Sequence, residues 1–275
     1  GRVTLRHLLS STSGIGVLDI PCLSRLITRK GASMDCAQEI YNTAMIYKTD
    51  THFFESSGHL LIAELMAEAA TGLLFEDIFE IFVKRPLKLP AVVPPLFSSR
   101  IIRTGVMIYI DQFETLFQAF FNKTLWPNTY QHLENDATRN KKWVYPPPSI
   151  LIGESWHASM GAWIECKSAT WQPDCGAHAG TYVQMNQAGF VMWIDRKENY
   201  YGLLLQNKQG GHMKSALDLV SKLRPLVVNF FAATDAPLFA PISARVTHKQ
   251  QSGGCIVAPS ILLVIILLLQ INLYF

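Results

Sequence analysis

Apolar residues recur at helical spacing before Gly161 and at a spacing close to two after it, so the chain reads as helices first and strands later. Leu5, Leu8 and Leu9 make a short apolar face that Ser10 to Gly14 break, which predicts one helical turn feeding a polar loop. Ser57 to Thr71 reads as a full helix, with Leu60, Leu61, Leu65 and Ala69 inward, Glu64 and Glu68 outward, and Gly72 as the stop. A second helix places Phe75, Ile78, Phe79 and Phe82 on one face. It is expected to end at Arg85-Pro86, because the residue before proline avoids helical conformation. Pro90 to Ser99 reads as loop. Asp111 is expected to open a third helix, with Glu114 in the capping-box position and Phe113, Leu116, Phe117, Phe120 and Phe121 as core. Asn128 to Ser149 is polar and ends in Pro146-Pro147-Pro148, the pattern of a surface excursion.

Beyond Gly161, four segments read as strands: Gly161 to Cys166, Gly180 to Met185, Gly189 to Asp195 and Tyr200 to Gln206. Arg196 to Asn199 joins the last two as a hairpin, and their apolar content predicts a sheet covered on both faces. Met213 to Val228 follows as a helix with Ala216, Leu217, Val220, Leu223 and Val227 inward. Strands succeeded by a helix that lies across them define an α+β class, an antiparallel sheet with helical cover, beside a helical subdomain. Residues 1–231 are read as one domain, 232–255 as an aperiodic linker and 256–275 as a hydrophobic tail.

Composition narrows this picture. With 275 residues, 49% apolar and 16% charged, the chain is too apolar for disorder. A net charge of +3 carried by scattered lysines and arginines gives no basic face, so nucleic acid is not an expected partner. No signal peptide is legible at the start. The tail is more informative, since Ile256 to Phe275 contains no charge and Ile261 to Leu269 is unbroken Ile, Leu and Val. Three readings compete: a membrane-spanning helix, a glycolipid-anchor signal with Ser252, Gly253 and Gly254 as small residues, or a buried core helix. The first two place the protein at a membrane, at the cell surface or in the secretory pathway.

Candidate chemistry is sparse. Cys166 and Cys175 flank a loop after a strand-like run and are a disulfide candidate in an oxidising compartment. Asn122-Lys123-Thr124 is a glycosylation sequon, a match common by chance. The histidines show no pair at metal-ligand spacing, and neither metal nor cofactor is expected. No serine is followed three residues later by lysine, and Gly-x-Ser-x-Gly is missing too.

Three segments in order nevertheless resemble one group. Val3 to Ile15, reading VTLRHLLSSTSGI, resembles the ITLRHLLSHTSG segment of the serine β-lactamase-related family, which includes class C β-lactamases, DD-peptidases and esterases, and Val191 to Arg196 followed by Tyr200-Tyr201-Gly202 resembles the strand, turn and strand after the third motif in its eukaryotic-type members. Phe53 to Leu61 resembles its F-x-Y-S-N-x-G-Y-x-L-L motif, and Gly176 to Gly180 its K-T-G or H-x-G motif. The resemblance implies a β-lactamase/transpeptidase-like fold and acyl transfer on an amide or ester of a small molecule or peptide. It also implies a Ser-x-x-Lys helix ahead of Val3, so the domain is expected to be incomplete at its N-terminus. His178 and Gly180 fall in substrate-binding slots. Phe54 falls where the family has a tyrosine and Ser56 where it has an asparagine. Phenylalanine carries no proton, so impaired or absent catalysis is expected. Glu55 reads either as a substitute base or as an acid satisfying the helix it precedes. The alternative to an enzyme is a membrane-displayed binding protein that uses the ancestral site.

Overall fold

The computed structural model describes residues 2–16, 32–89, 106–108, 110–172, 175, 181–185, 190–204, 213–234 and 256–258. The chain divides into two compact units. The first comprises Gly1–Tyr145, Ala158–Gly161 and Gly254–Phe275, and the second Pro146–His157 and Ala162–Gly253.

In the first unit, α1 (Leu5–Leu9) is the expected single turn. Thr4 caps it and His7 reaches back to the Thr4 backbone, a reciprocal capping box. Leu8 and Leu9 are buried, and the polar loop after them is pinned by backbone bonds to a distant segment. Asp50 N donates to Thr12 O at 2.8 Å, Ile46 N to Gly14 O at 3.1 Å and Phe54 N to Ser11 O at 2.9 Å. Gly14 has φ +86°, and a Cβ there would lie 2.1 Å from Tyr47 O, so this position needs glycine for both backbone conformation and space. After α2 (Ala32–Asn42) and the two-residue strand β1 (His52–Phe53), α3 (Ser57–Thr71) has the bounds expected from its sequence. Ser56 caps its start by accepting from Gly58 N, and Gly72 ends it at φ 69°.

The inward face of α3 differs from the expected stripe. Leu61, Ala63, Glu64 and Ala67 are buried, Leu60 and Leu65 are half-buried, and Ala69 is exposed. Both α1 and α2 pack on this helix, so the arc it buries is wider than one apolar line and takes in Glu64. Glu68 accepts Phe75 N at 3.0 Å and so satisfies the start of α4 (Phe75–Phe79), whose N-cap Leu74 has no side-chain acceptor. Arg85-Pro86 does not end the helical run. A π turn, Glu80–Lys84, leads into α5 (Arg85–Leu87), and the run stops at left-handed Lys88. Pro86 sits in the first turn of α5, where its missing N–H is tolerated. Val83 is buried where Phe82 was expected, because the wider turn shifts the inward line.

Strand β2 (Val106–Ile108) precedes α6 (Ile110–Phe121), whose Phe113, Leu116, Phe117, Phe120 and Phe121 are all buried as expected. The helix begins before Asp111, so Asp111 is not its cap. Residues 128–145 are not a surface excursion: Thr129, Tyr130, Leu133 and Thr138 are buried. They form α7 (Tyr130–Leu133) and β3 (Lys142–Trp143), which pairs in parallel with β1 through His52↔Lys142 and Phe53↔Trp143. Two-residue strands are too short to show a hydrophobic period.

The second unit holds most of a five-stranded sheet in the order β4 (His157–Ala158), β5 (Trp163–Ile164), β6 (Thr181–Met185), β7 (Val191–Asp195), β8 (Tyr200–Leu204). Pairing from β5 to β8 is antiparallel, and every residue of β7 is buried, as expected for a sheet covered on both faces. Trp193 pairs with Gly202, and its indole fills the space a Cβ at Gly202 would need. Helix α8 (Met213–Thr234) covers the sheet with Ala216, Leu217 and Val220, which pack with Trp156, Val191 and Trp193. It is longer than expected and runs past residue 231 into the expected linker, with exposed Pro225 removing one backbone bond in its middle. Leu223 is partly exposed, and Arg224 is buried beside it. Of the tail, Ile256–Ala258 forms β9, antiparallel to β2, and 259–275 lie outside the described residues.

Candidate functional site

The second-motif segment enters α3 directly from β1. The parallel β1–β3 pair, extended by Val144 N donating to Phe53 O at 3.1 Å, sets Tyr145 beside Phe54. Phe54 is only 3% exposed, with its ring centroid 5.8 Å from Tyr145 and 6.5 Å from Tyr47. Tyr47 in turn stacks on His52 at 4.2 Å. Phe54 is thus an apolar ring held between two phenols.

Ser56 accepts Gly58 N at 3.2 Å, the bond that caps α3. Glu55 reaches solvent, but the protein around it desolvates its carboxyl and raises it above the ordinary carboxylate range. Ser56 Oγ takes Gly58 N, so the cap at that amide is not supplied by Glu55.

His59 was not singled out as a site residue by the sequence reasoning. It is fully buried, with Nε2 2.9 Å from Ile15 O and 3.0 Å from Ser13 Oγ. Ile15 O can only accept, so Nε2 carries the hydrogen and shares it between the two oxygens. Burial pushes the imidazole down to about 4, against a weaker upward pull from the Ile15 carbonyl. Ser13 and His59 stand at the spacing of a nucleophile and its base. Both are fully buried, however, and a protonated Nε2 cannot take the Ser13 proton. The pair is therefore a pin between the opening segment and α3. The signal for it was the helical line His59, Ala63, Ala67, all buried.

The third-motif residues His178 and Gly180 lie outside the described residues. Just before them Cys166 and Cys175 form a disulfide, with Cα atoms 5.1 Å apart, and Cys36 is disulfide-bonded as well. Asn122 is exposed at the end of α6, with Lys123 next to it in left-handed conformation. Among the described residues, no group of three or more His, Cys, Asp and Glu side chains could hold a metal ion.

A second charged centre lies inside the second unit. The Arg224 guanidinium donates to both Glu165 oxygens at 2.6 and 2.7 Å, to Asp195 Oδ2 at 2.9 Å and to Tyr200 Oη at 3.3 Å. Burial works against its charge, but the Glu165 carboxylate and the bonds to Glu165 and Tyr200 more than offset this, and the guanidinium is held above its ordinary range. Asp195 also accepts Glu198 N at 3.0 Å, which ties the β7–β8 turn to the same network. Every group here is satisfied, so the cluster joins α8, β5, β7 and β8 rather than offering a reactive site.

No family model matches the chain, and no curated protein sequence matches it. Solved structures do. A Bacteroides dorei protein assigned as a β-lactamase aligns with TM-score 0.65 and 21% identity, over 82% of this chain and 72% of its own. A Mycobacterium bovis β-lactamase aligns with TM-score 0.58 and 15% identity, over 83% and 74%. A simvastatin synthase variant from Aspergillus terreus aligns with TM-score 0.54 and 16% identity, over 85% and 67%. The chain has the α+β fold of the β-lactamase and penicillin-binding protein group. Hydrolases and a synthase share that fold, so it does not specify this chain's reaction.

Proposed function

We propose that this chain is a β-lactamase-related, serine hydrolase-like protein whose acyl-transfer chemistry is impaired or lost. The observation that carries the reading is Phe54, buried two residues before the cap of α3, where the resemblance calls for a tyrosine. General acid–base assistance contributes about 10²- to 10⁴-fold to such reactions, and a phenyl ring supplies none. The nearby serines support the reading, since Ser13 is sealed against His59 and Ser56 is occupied in capping. By resemblance, the substrates are amides or esters of small molecules or peptides, and His178 and Gly180 contribute to binding them. The nucleophile would come from a Ser-x-x-Lys segment, a motif that residues 1–275 do not contain.

The alternative, which the same buried Phe54 supports, is a membrane-displayed binding protein that retains the site without the reaction. Membrane placement rests on the uncharged stretch from Ile256 to Phe275. Among the described residues, no single helix is long and apolar enough to cross a membrane. The cysteine pair and the exposed sequon at Asn122 agree with passage through an oxidising secretory compartment. The test is to expose the full-length gene product to fluorophosphonate and penicillin probes. Weak or absent covalent labelling is expected, and rapid stoichiometric labelling would overturn the impairment.

A further inference from the structure

The solvent face of α6 ends at Asn122. Glu114, Gln118 and Asn122 recur at i, i+4 and i+8 and are all exposed, while Phe113, Leu116, Phe117, Phe120 and Phe121 fill the buried side. Helical spacing therefore carries Asn122 away from the core. The chain then turns. Lys123 is left-handed at φ 54°, with Lys123 N donating to Phe120 O at 3.2 Å and Thr124 N to Ala119 O at 3.1 Å, the paired bonds of a Schellman motif. Leu125 is buried again, so residues 122–124 form an exposed tip.

The Asn122 amide is open to reaction. Lys123 folds over α7, its Nζ 3.1 Å from Glu134 Oε2 and 5.8 Å from the Tyr130 ring centroid. Thr124 Oγ1 stays at the turn and donates to Ala119 O at 3.4 Å. Among the described residues, no group hydrogen-bonds the Asn122 carboxamide. Asn122-Lys123-Thr124 is also the only Asn-x-Ser/Thr sequence in residues 1–275. A glycan is bulky and must stay on the surface, so a chance match packed inside the fold would be excluded; this one meets the requirement. The cysteines supply the compartment independently. Cys36 is bonded in the first unit and Cys166–Cys175 in the second, and such bonds persist in the oxidising secretory pathway, where sequons are modified.

We propose that Asn122 is an N-glycosylation site. The donor is an oligosaccharide carried on a lipid diphosphate. Asn122 Nδ2 forms a bond to the anomeric carbon, the bond from that carbon to the diphosphate oxygen breaks, the lipid diphosphate leaves with the electron pair, and the amide gives up one proton. The modification rests on the secretory passage given under Proposed function, and the experiment separates the two.

The test expresses the full-length gene product in a cultured eukaryotic cell line beside Asn122→Gln, Thr124→Ala and Thr124→Ser. In the natural chain, peptide N-glycosidase should leave a carboxyl in place of the amide at position 122, read from the mass of the peptide containing it. Asn122→Gln and Thr124→Ala should each run one glycan faster than the natural chain on a denaturing gel. Thr124→Ser keeps the hydroxyl of the sequon and should run with the natural chain. An Asn122 peptide that is unmodified before and after the enzyme, or equal mobility of Asn122→Gln and the natural chain, would overturn the site. Alkylation by a maleimide in denaturant without reductant reads the compartment separately, and Cys166 and Cys175 should resist it. Resistant cysteines with an unmodified Asn122 refute only the site, and reactive cysteines with an unmodified Asn122 refute the secretory passage as well.

Discussion

Acid should release the pin between the opening segment and α3, because His59 is neutral in the folded chain. Its imidazole falls from 6.5 to about 4 on burial, and Nδ1 has no hydrogen-bond partner there to receive a proton. Above pH 6.5 both folded and unfolded chains hold the ring neutral, and its contribution to stability is complete. Between pH 6.5 and 4 the unfolded chain binds a proton that the folded chain excludes, so stability falls as pH falls; below 4 this group adds no further loss. At about 1.4 kcal/mol per pKa unit, the whole effect is about 3 kcal/mol, a large part of the stability of an ordinary domain. The assay is urea unfolding at pH 7.5, 6, 5 and 4 for the natural chain and His59→Gln. Glutamine keeps an N–H donor but does not titrate. Carboxylates titrate in both proteins, so the difference between the two stability curves isolates His59. That difference should shrink by about 3 kcal/mol between pH 7.5 and 4. Parallel curves would refute the reasoning.

Three further outcomes follow from the geometry. Arg224→Met leaves Glu165 and Asp195 buried without their cation and should cost about 3 to 5 kcal/mol in urea unfolding at pH 7; a loss under about 1 kcal/mol would contradict the network. Gly14→Ala places a Cβ against Tyr47 O and should expose residues 11–16 and 45–54 to faster hydrogen exchange; unchanged protection would contradict the packing. Removing the Cys166–Cys175 bond by Cys175→Ser frees a short loop and should cost about 2 to 3 kcal/mol by the chain-entropy account, read as a lower melting temperature that reductant does not lower further at this bond.

Features encoded by neighbouring residues were legible in the sequence. Ser56 and Gly72 bracket α3 because a cap and a left-handed stop act within one turn. Arg196 to Asn199 reads as a turn because the strands on both sides are apolar. Features that depend on distant partners were not legible. Helical spacing placed Leu223 inward, yet Arg224 takes the buried position because Glu165, Asp195 and Tyr200 converge on it from three strands or strand ends. The role of His59 depends on Ser13 and Ile15, more than forty residues earlier. Of the candidate site, the capping role of Ser56 acts within one turn and was open to sequence reasoning, while the match of Phe54 and Ser56 to a family motif rests on resemblance alone. The sequence did not disclose that Tyr145 stands beside Phe54, since that contact depends on a two-residue parallel pairing.

That neighbouring phenol sharpens what Phe54 means. Phe54 packs between Tyr47 and Tyr145 and carries no proton, so on the proposed reading it fills the space of a tyrosine without the tyrosine's chemistry. The most direct measurement is the rate of covalent labelling of the full-length gene product by a fluorophosphonate, side by side with Phe54→Tyr. The account predicts slow labelling of the natural protein and a rise of about 10²-fold or more in the variant. Failure of both proteins to label favours the binding-protein alternative. Fast labelling of the natural protein, unchanged by Phe54→Tyr, would contradict the account.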